Sequence, residues 1–142
     1  MLSAAFDEGT RDVDHLGRTT WIIAEGYIPP ESTGEGRAFL SHETACMLNT
    51  GPAPANVEIT LFFPDREPVG PYRVVVPPRR TLHQRFNDLH EPEPVPKGSD
   101  YASVIVSDVP IVVQHTRLDS RQPALALLST IAFPAGTAAS VT

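Results

Sequence analysis

"YASVIVSDVPIVVQHTRL", residues 101–118, decides the reading of this chain. Two apolar runs, Val104-Ile105-Val106 and Ile111-Val112-Val113, flank Asp108-Val109-Pro110. Runs this short and this rich in β-branched residues are strands, and the turn-forming residues between them predict a hairpin. The two strands are then 101–107 and 110–118. The second leads into Gln114, His115, Thr116, Arg117, Asp119, Ser120, Arg121 and Gln122, interrupted only by Leu118. If it stays extended, Ile111, Val113, His115, Arg117, Asp119 and Arg121 share one side. A strand that runs from a core into so many hydrogen-bonding groups lines a ligand site, meets another subunit, or ends in solvent.

Outward from this stretch the same style of sequence repeats. Strands are expected at about 18–25, 39–48, 56–63, 71–76, 81–87 and 125–133, separated by Pro, Gly and Asn turns. "NVEITLFF" alternates cleanly, with Val57, Ile59, Leu61 and Phe63 on one face. "YRVVV" stops at Pro77-Pro78, which cannot donate to a ladder. The last segment, "LALLSTIAF", is short enough for a helix, but Ser129-Thr130-Ile131 and the all-β surroundings favour a strand. Pro occurs 15 times in 142 residues, about double the ~5% average, while apolar content is ordinary. The expected fold is therefore all-β: a single-domain β-sandwich of about eight mainly antiparallel strands. That domain spans 18–133. Residues 1–17 form an acidic extension and 134–142 a small polar tail, both expected to be disordered.

Charge and cysteine use narrow the function classes. The single Cys46 cannot form an intrachain disulfide, which suits a reducing compartment. No apolar stretch nears the roughly 20 residues of a membrane helix, and "MLSAAFDEGTRDVDHLG" lacks the basic start and apolar core of a signal peptide. A cytoplasmic location is expected. Net charge is −6, and ten of the eleven Lys and Arg residues are Arg. An acidic whole disfavours broad nucleic-acid binding, leaving Arg73, Arg79, Arg80 and Arg85 as the cationic candidates for DNA. Arg also suits bidentate grips on carboxylates and phosphates.

Polar residues at strand spacing fall in four places. Glu25 shares a face with Trp21 and Ile23. Ser41 and Glu43 lie on one side of the next strand, His42 and Thr44 on the other. Thr81, His83, Arg85 and Asn87 align on a third, and His115, Arg117, Asp119 and Arg121 on the opening stretch. Metal binding is not expected, because the histidines form no HxH or HxxxH pair and zinc ligands usually lie closer in sequence. No GxSxG turn, phosphate loop or dinucleotide fingerprint is present. Cys46 sits mid-strand beside Met47 and Leu48, where inert burial is the default. Acid–base catalysis by Glu25, Glu43 or Asp119 would need a carboxyl separation that spacing alone does not supply. The plainer reading of Glu25, Arg85, Arg117 and Asp119 is mutual ion pairing, since buried charges must be paired. The other is recognition of a hydroxyl-rich or anionic partner, with Trp21 offering a stacking face.

Taken together, "RTTWIIAEGYIPP", "FLSHETACMLNTG", "VEITLFFPDREPVGPYR", "VPPRRTLHQRFNDL" and "DYASVIVSDVPIVVQHTRLDSRQ" closely resemble the Anabaena-type sensory rhodopsin transducer family. The likeness runs from Arg18 to Phe133, in order and nearly in spacing; the extension before Arg18 and "ESTGEGR" depart from it. The resemblance implies a β-sandwich homotetramer with no enzymatic activity and no cofactor. It implies a transducer at the cytoplasmic face of a seven-helix sensory rhodopsin, with sugar or sugar-acid sensing and DNA binding as further roles proposed within the family. Its polar motif positions map to Glu25, Ser41, His42, Glu43, Arg80, Arg85, Asn87, Asp88, His115, Arg117, Asp119, Ser120 and Arg121. The expected role of that set is ligand binding or subunit contact.

Overall fold

A computed structural model describes residues 12–135. The expected disordered extension (1–17) and tail (134–142) thus fall largely outside the described residues; of them, Asp12–His15 form a 3₁₀ turn and Pro134 lies in a short strand. Eight strands follow: β1 (Arg18–Tyr27), β2 (His42–Asn49), β3 (Ala55–Phe62), β4 (Val69–Val76), β5 (Arg80–Arg85), β6 (Asp100–Asp119), β7 (Ala126–Ile131) and β8 (Phe133–Pro134). No helix among the described residues is long and apolar enough to cross a membrane.

The expected hairpin at Asp108-Val109-Pro110 does not form. Residues 100–119 are one strand of 20 residues, β6, and it belongs to two sheets at once. Its first half lies between β3 and β1, giving the order β4-β3-β6-β1-β8. Its second half lies between β2 and β7, with β5 outside β2. All these pairings are antiparallel. The turn-like residues mark the crossing. β3 pairs only as far as Ser107 and β2 begins at Val112, so Pro110 sits where no ladder on that side asks for its missing N–H. Asp108 is used locally instead, accepting the backbone and side-chain N–H groups of Asn56 at 2.8 and 2.7 Å.

Alternation then places one face of each sheet against the other. Val57, Ile59 and Leu61 of β3, Trp21 and Ile23 of β1, and Ala45 and Met47 of β2 are buried with Ile105, Ile111 and Val113 of β6 in a single apolar core. The clean alternation of "NVEITLFF" is confirmed, with Asn56, Glu58 and Phe62 exposed. β4 ends at Val76, directly before the Pro77-Pro78 pair. Asn49 is buried and ties the nearby turns, donating to the carbonyls of Ala53 and Val76 while accepting from Gly51 N–H at 3.0 Å.

Two other expectations change. β5 stops at Arg85, and Phe86–Asp88 form a 3₁₀ turn, so Asn87 is not on the strand face with Thr81 and His83. Phe86 is buried and draws the chain inward there. β1 does not end at residue 25; it runs to Tyr27 with an irregularity between Ile23 and Gly26 that inserts an extra residue opposite β6. A bulge of this kind re-aims the side chain it carries, and the one it carries here is Glu25.

Candidate functional site

The polar groups that follow Val113 on β6 turn out to be partly inside the molecule. Glu43 stands opposite Arg117 in the β2–β6 ladder and His115 opposite Ala45, so the His115 and Glu43 side chains meet diagonally; both are buried, at 3% and 0% exposure. Glu43 lies on the inward side of β2 with Ala45 and Met47. A buried carboxylate is costly unless its oxygens are met by donors, and here they are. Arg117 donates from Nη2 at 2.9 Å and Nε at 3.1 Å to Glu43 Oε1. Tyr27 donates its backbone N–H to the same oxygen, and His115 Nε2 meets Oε2. The remaining arm of the guanidinium, Nη1, reaches out to Glu25 Oε1 at 3.1 Å.

Arg117 therefore links a fully buried acid to a surface acid, since the Glu25 side chain is 77% exposed and that of Arg117 only 13%. Burial works against its charge, and the hydrogen bonds and charges of Glu43 and Glu25 outweigh it, so its pKa is raised. Tyr101 lies beside this group, its ring tilted on Phe86 at 5.5 Å. Its hydroxyl is buried without a hydrogen-bond partner. Burial, and then the negative charge of Glu43, push that hydroxyl well above the ordinary tyrosine range. Gly26 is required here: a Cβ at that position would come within 2.5 Å of the Tyr101 ring.

A second layer frames the group. The backbone N–H of Glu43 donates to Asn87 Oδ1 at 3.2 Å, and Asn87 Nδ2 donates to the Ser41 carbonyl at 3.1 Å. Ser41 Oγ accepts the Ser120 N–H at 3.0 Å and lies 3.1 Å from Ser120 Oγ. These contacts join the start of β2 to the end of β6. Seven of the thirteen expected positions thus converge: Glu25, Ser41, Glu43, Asn87, His115, Arg117 and Ser120.

The others have no hydrogen bond to this group, although Arg121 lines the same cleft as Glu25 and Arg117. His42 and Arg85 lie on the outer side of β2 and β5, with Asp88 close by. Asp88 takes a bidentate contact from Arg37, 2.5 Å at the shorter arm, which holds its carboxyl below the usual range. Arg85 Nη1 donates to the Arg37 carbonyl at 2.9 Å. Burial lowers the His42 pKa, aided by the positive charges of Arg85 and Arg37. Asp119 and Arg121 form a fork of their own at the surface, 2.6 Å at its shortest. Arg80 stands at the far end of β5, opposite Asn49. Nor do the arginines expected for DNA make one free patch: Arg73 pairs with Glu58 at 3.4 Å and Arg79 with Asp14 at 3.3 Å.

Above the buried group is a cleft of about 540 Å³, floored by Tyr27 and Tyr101 and walled by Glu25, Asp100, Arg117 and Arg121. The Arg121 guanidinium sits 5.6 Å from the centre of the Tyr27 ring and that of Arg117 6.0 Å. Arginine over an aromatic face is a stable platform, and here both guanidinium groups are also held by acids, Arg117 by Glu43 and Glu25 and Arg121 by Asp119. Among the described residues no group of three or more His, Cys, Asp or Glu side chains comes together for a metal. Sequence spacing missed Tyr27, Tyr101 and Arg37. Of these only Tyr27 carried a signal, as an aromatic directly after Gly26.

Comparison with known proteins bears on the chain as a whole. The Anabaena sensory rhodopsin transducer family matches residues 16–134. A solved structure of Anabaena sensory rhodopsin transducer is 62% identical, with TM-score 0.66, covering 72% of this chain and 98% of that one. A crystal structure of Thermotoga maritima 1070 is 34% identical, with TM-score 0.76, covering 85% of this chain and 98% of that one. No curated protein matches. With most of its length matched in both sequence and fold, the chain belongs to the Anabaena sensory rhodopsin transducer family.

Proposed function

We propose that this chain is a nonenzymatic signalling protein. It acts as a homotetramer that relays the state of a seven-helix sensory rhodopsin from the receptor's cytoplasmic face. The observation that carries the reading is the 62% identity to a sensory rhodopsin transducer over 98% of that protein. Two physical features support it. Apolar side chains stand exposed on the outer sides of both sheets, Val75, Val106 and Phe62 on one and Leu48, Leu127 and Ile131 on the other. Exposed apolar surface of this kind suits burial between subunits. The buried Glu43–His115–Arg117 group also ends at a surface acid, so a contact at Glu25 is felt inside the sandwich through Arg117.

The test is direct. Sensory rhodopsin from Anabaena, reconstituted in nanodiscs, is titrated with the purified chain in darkness and under illumination while bound mass is followed. Saturable binding that changes with light is expected; no binding in either state overturns the receptor reading. Light scattering at micromolar concentration should give four times the chain mass, and a monomer overturns the assembly reading.

A second reading is favoured by the cleft over Tyr27. Its mixed Arg and acid walls suit a polar metabolite such as a sugar or sugar acid. Thermal shifts with a panel of such compounds test it, since a specific ligand raises the melting temperature by mass action. No shift from any member removes it.

A further inference from the structure

The charges around the cleft over Tyr27 do not balance. Arg117 is held by Glu43 and Glu25, and Arg121 by Asp119. Asp100, exposed in the wall of the same cleft, makes no ion pair among the described residues. Two guanidinium groups thus meet four carboxylates: Glu25, Glu43, Asp100 and Asp119. A proton on His115, which meets Glu43 from inside, would still leave the acids in excess. The surplus lies at the mouth of the cleft, where the Glu25 side chain is 77% exposed.

A second concavity, of about 290 Å³, adjoins the first. It shares Ala24, Asp100 and Tyr101 with the cleft, but Phe62, Phe63 and Pro64 make its far wall apolar. The strands explain the join. Asp100 stands opposite Tyr27 on β1, and Ala102 stands opposite Phe62 on β3. Alternation puts Asp100 and Ala102 on one face of β6, so Phe62 is a diagonal neighbour of Asp100, roughly 7–8 Å away. Asp100 therefore marks the border between a charged end and an apolar end. Tyr101 lies in the floor of both; it is 4% exposed and its hydroxyl has no partner.

From this we infer that the joined cleft binds a small organic amine, with its ammonium group at Asp100 and Glu25 and an apolar arm laid over Ala102 toward Phe62. The inference rests on the second reading above, that this cleft takes a small ligand, and narrows the class away from sugar acids and toward cations. An ammonium group brings three donors and no acceptor, and hydrogen bonds between charged partners are the strong ones. The arm adds the burial of apolar surface, in proportion to its area. A carboxylate in the same place would meet Glu25 and Asp100 with like charge, and both guanidinium groups that could receive it already hold acids. An ammonium at Glu25 also competes with the outer arm of Arg117, which connects the ligand to Glu43 in the interior.

The experiment uses the whole chain and three probes of one shape: 2-phenylethylamine, 2-phenylethanol and phenylacetate. Each is titrated calorimetrically at low ionic strength, where charge is least screened. Saturable binding of the amine is expected, with the alcohol weaker and phenylacetate silent. Ethanolamine, which carries the charge without the apolar arm, should bind more weakly than 2-phenylethylamine. Asp100→Asn should weaken the amine at least about tenfold, because a hydrogen bond to a charged group is worth that much. Glu58→Gln changes the net charge equally but lies outside the cleft on β3, and should leave amine binding unchanged. An unaffected Asp100→Asn, or an equal loss in both variants, would mean general attraction to an acidic protein and would overturn the inference. If phenylacetate, a sugar or a sugar acid binds and the amine does not, the cleft takes another class of ligand; the inference falls and the reading beneath it stands. If neither the amine nor any sugar compound binds, both fall.

Discussion

His42 and Glu43 are neighbours in sequence and opposites in physics. Their side chains leave β2 on different faces, and each enters a small network of charges. Glu43 enters the core, where every oxygen is met by Arg117, His115 or the Tyr27 backbone. His42 stays near the surface with Arg37, Arg85 and Asp88. The residue types are nearly the same, so the difference lies in water. Solvent can replace any lost contact on the outer side, and nothing can on the inner side.

The strongest test of that contrast is Glu43→Ala, which leaves Arg117 and His115 in the interior without their acid. Loss of one partner of a buried pair costs about 3–5 kcal/mol, and urea denaturation should register it. Glu43→Gln, which keeps the shape and an acceptor, should cost less than Glu43→Ala. If the two variants match wild type, the inner network is not what holds this end of the sandwich.

Tyr101→Phe comes next and has the opposite sign. Its hydroxyl is buried without a partner, and an unmet buried polar group costs about 1–3 kcal/mol. Removing it should stabilise the isolated chain, or leave it unchanged at worst. A clear loss of stability would reveal a partner for that hydroxyl.

On the outer face the effects shrink. Asp88→Asn breaks the exposed contact with Arg37 and should cost no more than about 1 kcal/mol, less in high salt. The smallest expected signal is a slope. The His42 pKa lies below its ordinary value of 6.5, so the unfolded chain binds a proton more readily than the folded one. Its contribution to stability is present above pH 6.5 and is lost as pH falls from there through the lower, folded value. His42→Asn should flatten the stability–pH curve in that window alone, measured as the difference between variant and parent melts.

How much of this was legible in sequence follows the same inner and outer division. Alternation in "NVEITLFF" and the stop at Pro77-Pro78 were readable because local rules decide them. The hairpin at Asp108-Val109-Pro110 was misread because a proline says only that an N–H is missing, not that a ladder is absent beside it. β2 and β3 flank β6 on the same side and leave a gap at that point, which is a tertiary fact. Glu43, His115 and Arg117 were found by strand parity, and β6 keeps that parity across both sheets. Asn87 was placed on the wrong element yet in the right neighbourhood, since the 3₁₀ turn after Arg85 folds it back onto Ser41. Tyr101 escaped notice because nothing in its flanking residues tells a core tyrosine from a functional one.

β6 also dictates when the molecule can exist. β1, β2 and β3 all find a principal partner in residues 100–119, which the ribosome makes after every one of them. Until that segment emerges, the earlier strands have only the β2–β5 and β3–β4 pairs. The nascent chain is then a string of edges waiting for its centre, and chaperone occupancy during synthesis should persist until the last quarter of the chain is out.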